Sequence, residues 1–234
     1  MRAREYMQVV RPVTILVALG IAYAAYFYLF PDTDLRIHAA LYHSDTGFYL
    51  GQENWVRFFY KLIPVINKII VFSGLFLLAL NFWKKKKHFL TNRQILFVLL
   101  SLAIGPGLLV NTLFKDQFGR ARPSQIVEFG GTKKFTPPLI VTDQCEKNCS
   151  FVSGHASSGF FMAAFAMLLT GWKRRAAYVA ALAFGLWIGF IRMAMGGHFF
   201  SDVLFAGIFT LIVIHLIYYW LLVRHHDHHS RRSD

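Results

Sequence analysis

Long apolar segments alternate with short polar segments along this chain. Each apolar segment runs for about 20 residues, which is the length that an α-helix needs to cross the hydrocarbon core of a bilayer. The segments lack strand-like alternation and are rich in Leu, Ile, Ala and Phe, which favours helices over a β-barrel. The predicted spans are residues 12–30, 58–82, 94–114, 151–171, 176–195 and 202–223. The pattern therefore predicts an all-α, polytopic membrane protein, folded as a bundle of six transmembrane helices.

The composition supports a membrane protein. Hydrophobic residues make up 56% of the 234 positions, charged residues only 16%, and the mean hydropathy is +0.44. Soluble proteins rarely have such values. Ala22 and Ala24 resemble a weak signal-peptide cleavage pattern, but the first apolar run continues to Phe30, so we expect an uncleaved anchor. We find no internal repeat and expect one membrane-embedded domain over residues 1–234.

The basic residues predict the orientation of the helices. They concentrate before the first span, between the second and third, between the fourth and fifth, and after the last. By the positive-inside rule these segments, and therefore both termini, are expected in the cytoplasm. Most of the net charge of +13 is then a topology signal rather than evidence for a nucleic-acid partner. The histidine-rich end, "RHHDHHSRRSD", is expected to be a solvated cytoplasmic tail, with loose metal binding as the alternative. Lys68, deep in the second span, is a functional candidate unless helix tilt brings it to the head groups.

Three polar clusters fall at the other, outer ends of the predicted helices. They are "KDQFGRARP" at 115–123, "SFVSGHAS" at 150–157 and "RMAMGGHFFSD" at 192–202. Taken singly, each cluster has a more common structural explanation. The cations of the first are usually snorkelling side chains, the Ser-Gly pair of the second is usually a helix cap, and the His and Asp of the third usually only hydrogen-bond to each other. Because all three fall on one predicted face of the membrane, together they indicate a phosphate site.

The clusters contain the groups that phosphoryl transfer needs. The transferring group spreads negative charge over its oxygens, so catalysis depends on fixed cations and on in-line alignment of attacking and leaving atoms. His198 is the predicted nucleophile, because Asp202 follows one helical turn later and can hold its imidazole. His155 has no such partner in the sequence and is the predicted general acid. The predicted phosphate-binding residues are Lys115, Arg122, Ser153, Gly154 and Arg192.

The chain has two cysteines, Cys145 and Cys149, both in the longest outer loop. An oxidising compartment permits a disulfide there, and the three intervening residues can form a turn that brings the two within bridging range. The pair makes a poor zinc site, and we expect neither a metal nor another cofactor. Spacing alone leaves two free thiols as the alternative.

The three clusters resemble the motifs of the type 2 phosphatidic acid phosphatase (PAP2) superfamily. These are membrane lipid phosphatases, usually six-helix and metal-independent, that act through a phosphohistidine. The resemblance covers residues 115–202 and implies His198 as nucleophile, Asp202 as its orienter, His155 as acid and the five other residues as phosphate binders. Val152 stands where the family usually has proline, and Ile191 where it usually has serine.

Finer features resemble bacterial lipid A phosphatases, including the 4′-phosphatase type. They are the Cys-x3-Cys element, "IGPGLLVN" and "GGHFFSDV". The resemblance implies an inner-membrane enzyme with a periplasmic active site that hydrolyses a phosphate monoester of lipid A. Undecaprenyl pyrophosphate and phosphatidylglycerophosphate are alternative substrates, and an anion or lipid transporter or a non-catalytic lipid-binding protein is the alternative of another class. The expected partners are the lipid substrate and membrane lipids, with no obligate protein partner.

Overall fold

The computed structural model describes residues 2–84 and 90–224, which form helices joined by turns and irregular loops. The α-helices are α1 Arg2–Leu29, α2 Asp32–Ala39, α3 Asn54–Lys84, α4 Asn92–Leu102, α5 Lys115–Gln117, α6 Gly154–Phe160, α7 Ala163–Met167, α8 Gly171–Ala194 and α9 Phe200–Tyr218. Two π-helical segments, Ala103–Phe114 and Tyr219–Val223, continue α4 and α9. The predicted all-α class is confirmed. The basic run at 85–87 and the histidine-rich tail lie outside the described residues.

Five helices in the described part of the chain are long and apolar enough to cross a membrane. They are Val10–Leu29, Asn54–Trp83, Asn92–Phe114, Gly171–Ala194 and Phe200–Val223, which match five of the six predicted spans. The remaining predicted span, 151–171, contains the two short helices α6 and α7, joined by a turn at Phe161 and Met162. Most of its side chains are buried by protein. Segment α6–α7 therefore lies inside the bundle rather than on its lipid-facing surface.

Small residues let α6 pack closely against α8. A Cβ atom on Gly159 would lie 2.9 Å from the Cα of Gly185, and a Cβ on Gly185 would overlap the ring of Phe160. Glycine at a helix interface in membranes allows this close approach of two backbones. The contact fixes the "SGH" motif at the start of α6 relative to Arg192 near the end of α8.

The π-helical segment positions the start of the "KDQFGRARP" motif. Pro106 has no backbone N–H and lies inside this segment, which begins where α4 ends and runs directly into Lys115. The side-chain amide of Asn111 donates to the carbonyl oxygen of Pro106 at 2.6 Å. Asn111 also contacts Gly154, so the same segment supports two of the three motifs.

The first outer loop folds back onto the bundle. Its short helix α2 packs against the start of α9, and Asp34 and His38 on this helix are buried. The Nε2 atom of His38 lies 3.0 Å from the carbonyl oxygen of His198. Helix α2 therefore contacts the backbone of the predicted nucleophile and supports its position.

Candidate active site

His198 lies in the turn between α8 and α9, with only 1% of its surface exposed. Its Nδ1 atom is 2.6 Å from the carbonyl oxygen of Ser150 and 3.8 Å from Oδ2 of Asp202. Because a carbonyl oxygen only accepts hydrogen bonds, Nδ1 carries the proton in the neutral ring. Nε2 then holds the lone pair, as a nucleophile at that atom requires.

Asp202 is fully buried and gathers several donors. Its carboxylate accepts hydrogen bonds from Nη1 of Arg120 at 2.5 Å, the hydroxyl of Ser150 at 2.5 Å and the backbone N–H of Phe199 at 2.8 Å. The sequence predicted that Asp202 holds the His198 imidazole directly, but the shorter contact of that imidazole is with the Ser150 carbonyl. Asp202 therefore acts on His198 both through its charge and by holding Ser150.

Burial lowers the pKa of His198 to about 4. The nearby Asp202 carboxylate raises this pKa, while the positive charges of Arg192 and Lys115 lower it further. The imidazole is consequently neutral over the whole physiological pH range. Only this neutral form has a lone pair on Nε2, so the environment keeps His198 in the form that its predicted role requires.

We expect the nucleophile to be lost as the pH falls through about 4 rather than through the ordinary histidine value of 6.5. Protonation below the pKa removes the lone pair, so activity requires a pH above it. An NMR titration of the His198 ring in the substrate-free enzyme, assigned by comparison with His198→Asn, measures this directly. The absence of substrate excludes the phosphate ionisation near pH 6, which would otherwise overlap the profile. A ring that titrates near 6.5 would contradict the expectation.

Lys115 and Arg122, the two predicted cations of the first motif, contact the same residue of the long outer loop. The ammonium group of Lys115 donates to Oδ1 of Asn148 at 3.0 Å, and Nη2 of Arg122 donates to the Asn148 carbonyl at 2.7 Å. Asn148 lies in the small loop closed by the disulfide between Cys145 and Cys149, whose Cα atoms are 5.6 Å apart. The disulfide loop thus helps to position both cations.

Arg122 is partly withdrawn from water. Burial lowers its pKa, and the negative charge of Asp202 opposes this shift. The guanidinium keeps its charge, since arginine is ionised far above neutral pH. Lower solvation strengthens its attraction for a phosphate oxygen, which fits the predicted role.

The second motif has two structural constraints. The hydroxyl oxygen of Ser153 accepts a hydrogen bond from the backbone N–H of Ala156 at 3.3 Å and so caps α6. Gly154 is required by packing, because a Cβ atom there would lie 2.5 Å from Oδ1 of Asn111. Ser153 retains its hydroxyl hydrogen as a donor, so its capping contact is compatible with phosphate binding.

Tyr60 of α3 joins the second and third motifs. The His155 ring stacks on Tyr60 with centroids 4.6 Å apart and an interplanar angle of 15°, and the Arg192 guanidinium carbon lies 4.8 Å from the Tyr60 ring centre. Nε2 of His155 and Nε of Arg192 are buried without a hydrogen-bond partner among the described residues. Buried polar atoms are normally paired, so these two atoms point to a ligand. No feature of the sequence distinguished Tyr60 from the other aromatic residues of its apolar helix.

The structure brings the predicted residues together at one end of the bundle. The positive charges of Arg192 and Lys115 act on both His155 and His198. Gly197 lies against Arg192, because a Cβ atom there would overlap the guanidinium group. The three motifs, far apart in the chain, therefore form one cationic site around two histidines.

Arg120 forms a buried ion-pair network that the sequence analysis missed. This residue is 1% exposed and pairs through Nη2 with Asp34 at 2.9 Å and through Nη1 with Asp202 at 2.5 Å. Its guanidinium carbon also lies 4.2 Å from the ring centre of Phe199. Asp34 in turn accepts hydrogen bonds from the backbone N–H, at 3.0 Å, and the hydroxyl of Ser201. The network ties α2 and the first motif to the start of α9.

Comparison with known proteins identifies the class of protein to which this chain belongs. The model of the PAP2 superfamily matches residues 94–225. This chain belongs to the PAP2 superfamily and is a phosphatase.

Individual relatives of this chain have more specific names than the superfamily. The chain is 42% identical to a lipid A 4′-phosphatase of Francisella tularensis subsp. novicida (strain U112) over 198 residues, which cover 82% of this chain and 88% of the relative. A lipid A 4′-phosphatase of Rhizobium leguminosarum is 31% identical over 134 residues, 57% of this chain and 56% of the relative. A lipid A 1-phosphatase of Rhizobium etli is 36% identical over 119 residues, 49% of this chain and 47% of the relative. The chain thus spans about half the length of the two Rhizobium proteins. No solved structure matches significantly.

Proposed function

We propose that this phosphatase removes a phosphate monoester from lipid A, preferentially at the 4′ position, through a phosphohistidine intermediate on His198. The observation that carries the mechanism is the fixed Nδ1 of His198, which leaves Nε2 to attack beside three cations. The assignment of lipid A as the substrate rests on the similarity to the Francisella 4′-phosphatase, which extends over most of both chains.

The proposed reaction has two in-line steps. In the first, Nε2 of His198 attacks phosphorus, the bond from phosphorus to the lipid oxygen breaks, and His155 gives its proton to that oxygen. In the second, His155 takes a proton from water, whose oxygen attacks the phosphohistidine and releases inorganic phosphate and free His198. Lys115, Arg122 and Arg192 stabilise the charge on the equatorial oxygens in both steps.

His155 is suited to the acid role by its unpaired Nε2 atom. A phosphate dianion bound by the three cations brings negative charge beside this ring, which favours its protonated form. Stacking on Tyr60 fixes the plane of the ring, so that Nε2 holds one direction relative to the substrate. His155 can then act on the leaving oxygen without displacing a protein contact of that atom.

The proposed topology places the site on the periplasmic side of the inner membrane. Helix α8 begins beside the basic residues 173–175 and ends beside Arg192 in the site, so the site lies at the end remote from the positive charges. With α6–α7 as the fourth crossing, residues 1–234 form one domain with six membrane crossings and both termini in the cytoplasm. The phosphates of lipid A at the outer leaflet surface would then be within reach of the site.

The test is phosphate release from purified lipid A in detergent with a chelator present. We expect loss of one phosphate, mainly from the 4′ position, identified by mass spectrometry with lipid A monophosphorylated at either position as substrates. Undecaprenyl pyrophosphate and phosphatidylglycerophosphate serve as competing substrates in the same assay. No release at any pH, or release only with added divalent metal, would refute the mechanism. Faster hydrolysis of either competing lipid would refute the assignment of lipid A as the substrate but would not contradict the proposed mechanism.

A further inference from the structure

A second cleft lies at the end of the bundle opposite the candidate active site. Its volume is about 530 Å³, and Arg174, Arg175 and Tyr178 of α8 line it together with His215 of α9. Eighteen residues of α8 separate Arg174 from Arg192, which corresponds to about 27 Å along a helix. The cleft is therefore separate from the site that contains the three motifs.

His215, one of the residues that line this cleft, has an unsatisfied ring nitrogen. The residue is only 5% exposed, and its Nε2 atom lies 3.1 Å from the hydroxyl of Tyr178. Its Nδ1 atom is buried and has no hydrogen-bond partner in the described part of the chain. Unpaired buried polar atoms are rare and unfavourable. When the Tyr178 hydroxyl donates to Nε2, the Nδ1–H of this ring is left as a donor beside the cleft.

The two arginines give the cleft a positive charge. Arg174 is held by hydrogen bonds from Nε to the Leu169 carbonyl at 2.7 Å, and from Nη2 to the Met167 carbonyl at 2.8 Å and the Tyr218 hydroxyl at 3.0 Å. Nη1 takes no part in these three bonds. Arg175 is exposed, and no acidic residue is among the described residues that line the cleft. A guanidinium held by three hydrogen bonds, an exposed guanidinium and a His–Tyr pair are suited to bind a phosphate group.

We propose that this cleft binds the phosphate of an anionic phospholipid head group. Both helices that form it are candidate membrane spans, and its two arginines lie near the start of α8, at the level expected for head groups. Its lining includes the apolar Met167 and the exposed Val179, which can contact an acyl chain. In the proposed topology this end faces the inner leaflet. A bound lipid would link α8 to α9 and stabilise the bundle that carries the catalytic residues at its other end.

The test measures lipid-dependent thermal stability and, by native mass spectrometry, lipid binding of the purified protein in detergent. We expect phosphatidylglycerol to bind and to raise the Tm, whereas phosphatidylcholine and soluble glycerol 3-phosphate at equal concentration do not. Arg175→Gln should weaken phosphatidylglycerol binding about tenfold, because a charge-assisted hydrogen bond is lost. Lys173→Gln is the matched control, since it removes the same charge two positions earlier from a residue that does not line the cleft.

Two further variants distinguish binding in this cleft from binding elsewhere on the protein. His215→Phe removes the unpaired nitrogen and should also weaken binding, with the lipid-free Tm reporting on its folding. Arg192→Gln, at the far end of α8, should retain the lipid-dependent shift, whereas binding among the three cations of the candidate active site should be weakened by this change. Equal losses in Arg175→Gln and Lys173→Gln would overturn the proposal, because they would show diffuse attraction to the surface. An equal shift with glycerol 3-phosphate or phosphatidylcholine would overturn the assignment to an anionic lipid.

Discussion

Replacing His198 with asparagine should abolish turnover while preserving the fold. The asparagine amide can still donate to the Ser150 carbonyl, which accepts from Nδ1 of His198 at 2.6 Å in the wild type, but it offers no nucleophile. We expect kcat to fall by about 10⁴-fold or more, the scale seen when a covalent nucleophile is removed from other enzymes. Phosphate release from lipid A measures this loss directly.

Trapping the intermediate tests the same assignment independently of turnover. A rapid quench of wild-type enzyme with radiolabelled substrate should give a phosphoprotein that is stable in alkali and labile in acid, as expected for phosphohistidine. His198→Asn should give none. His43→Asn, which changes a histidine of the first outer loop outside the catalytic site, is the matched control and should behave as wild type. Turnover of His198→Asn within tenfold of wild type would show that another group attacks phosphorus.

The sequence was sufficient to predict most of the spans and the site motifs. Five spans were predictable because an apolar run of about 20 residues has few other stable structures in a bilayer. That the three motifs meet was predictable because phosphoryl transfer needs a particular set of groups, which these motifs supply together, while the roles of the individual residues remain predictions. Composition, local spacing and the common face assigned to the three clusters were enough for both.

Other features depended on contacts that local spacing does not encode. The Arg120–Asp34 ion pair joins residues 86 positions apart. Each of the two lies among other charged residues in a segment whose sequence is typical of a solvated loop. Hydropathy also could not show that 151–171 would break into α6 and α7. The close approach of Gly159 to Gly185, which helps to place α6 inside the bundle, likewise joins two separate segments. Asn148 and Tyr60 likewise gain their roles only from the tertiary structure.

Replacing Arg120 with methionine should have the second large effect, on both stability and activity. The substitution keeps an apolar stem of similar length but leaves the buried carboxylates of Asp34 and Asp202 without their shared cation. Removing one partner of a buried ion pair destabilises proteins by about 3–5 kcal/mol. Thermal unfolding in detergent should show a large fall in Tm. The fraction that remains folded should have a reduced kcat, because Asp202 no longer holds Ser150 and His198 in place.

A double variant separates the structural part of this effect from the catalytic part. Adding Asp34→Asn to Arg120→Met removes one of the two unpaired charges, so the Tm should recover in part. Activity should not recover, because Asp202 still lacks its cation. Arg36→Met is the matched control, since Arg36 lies on the same helix as Asp34 but is exposed, and it should change stability by no more than about 0.5 kcal/mol. If Arg120→Met unfolded no more easily than Arg36→Met, the buried network would not stabilise the fold. If the double variant regained full activity, the proposed link from Arg120 through Asp202 to His198 would be wrong.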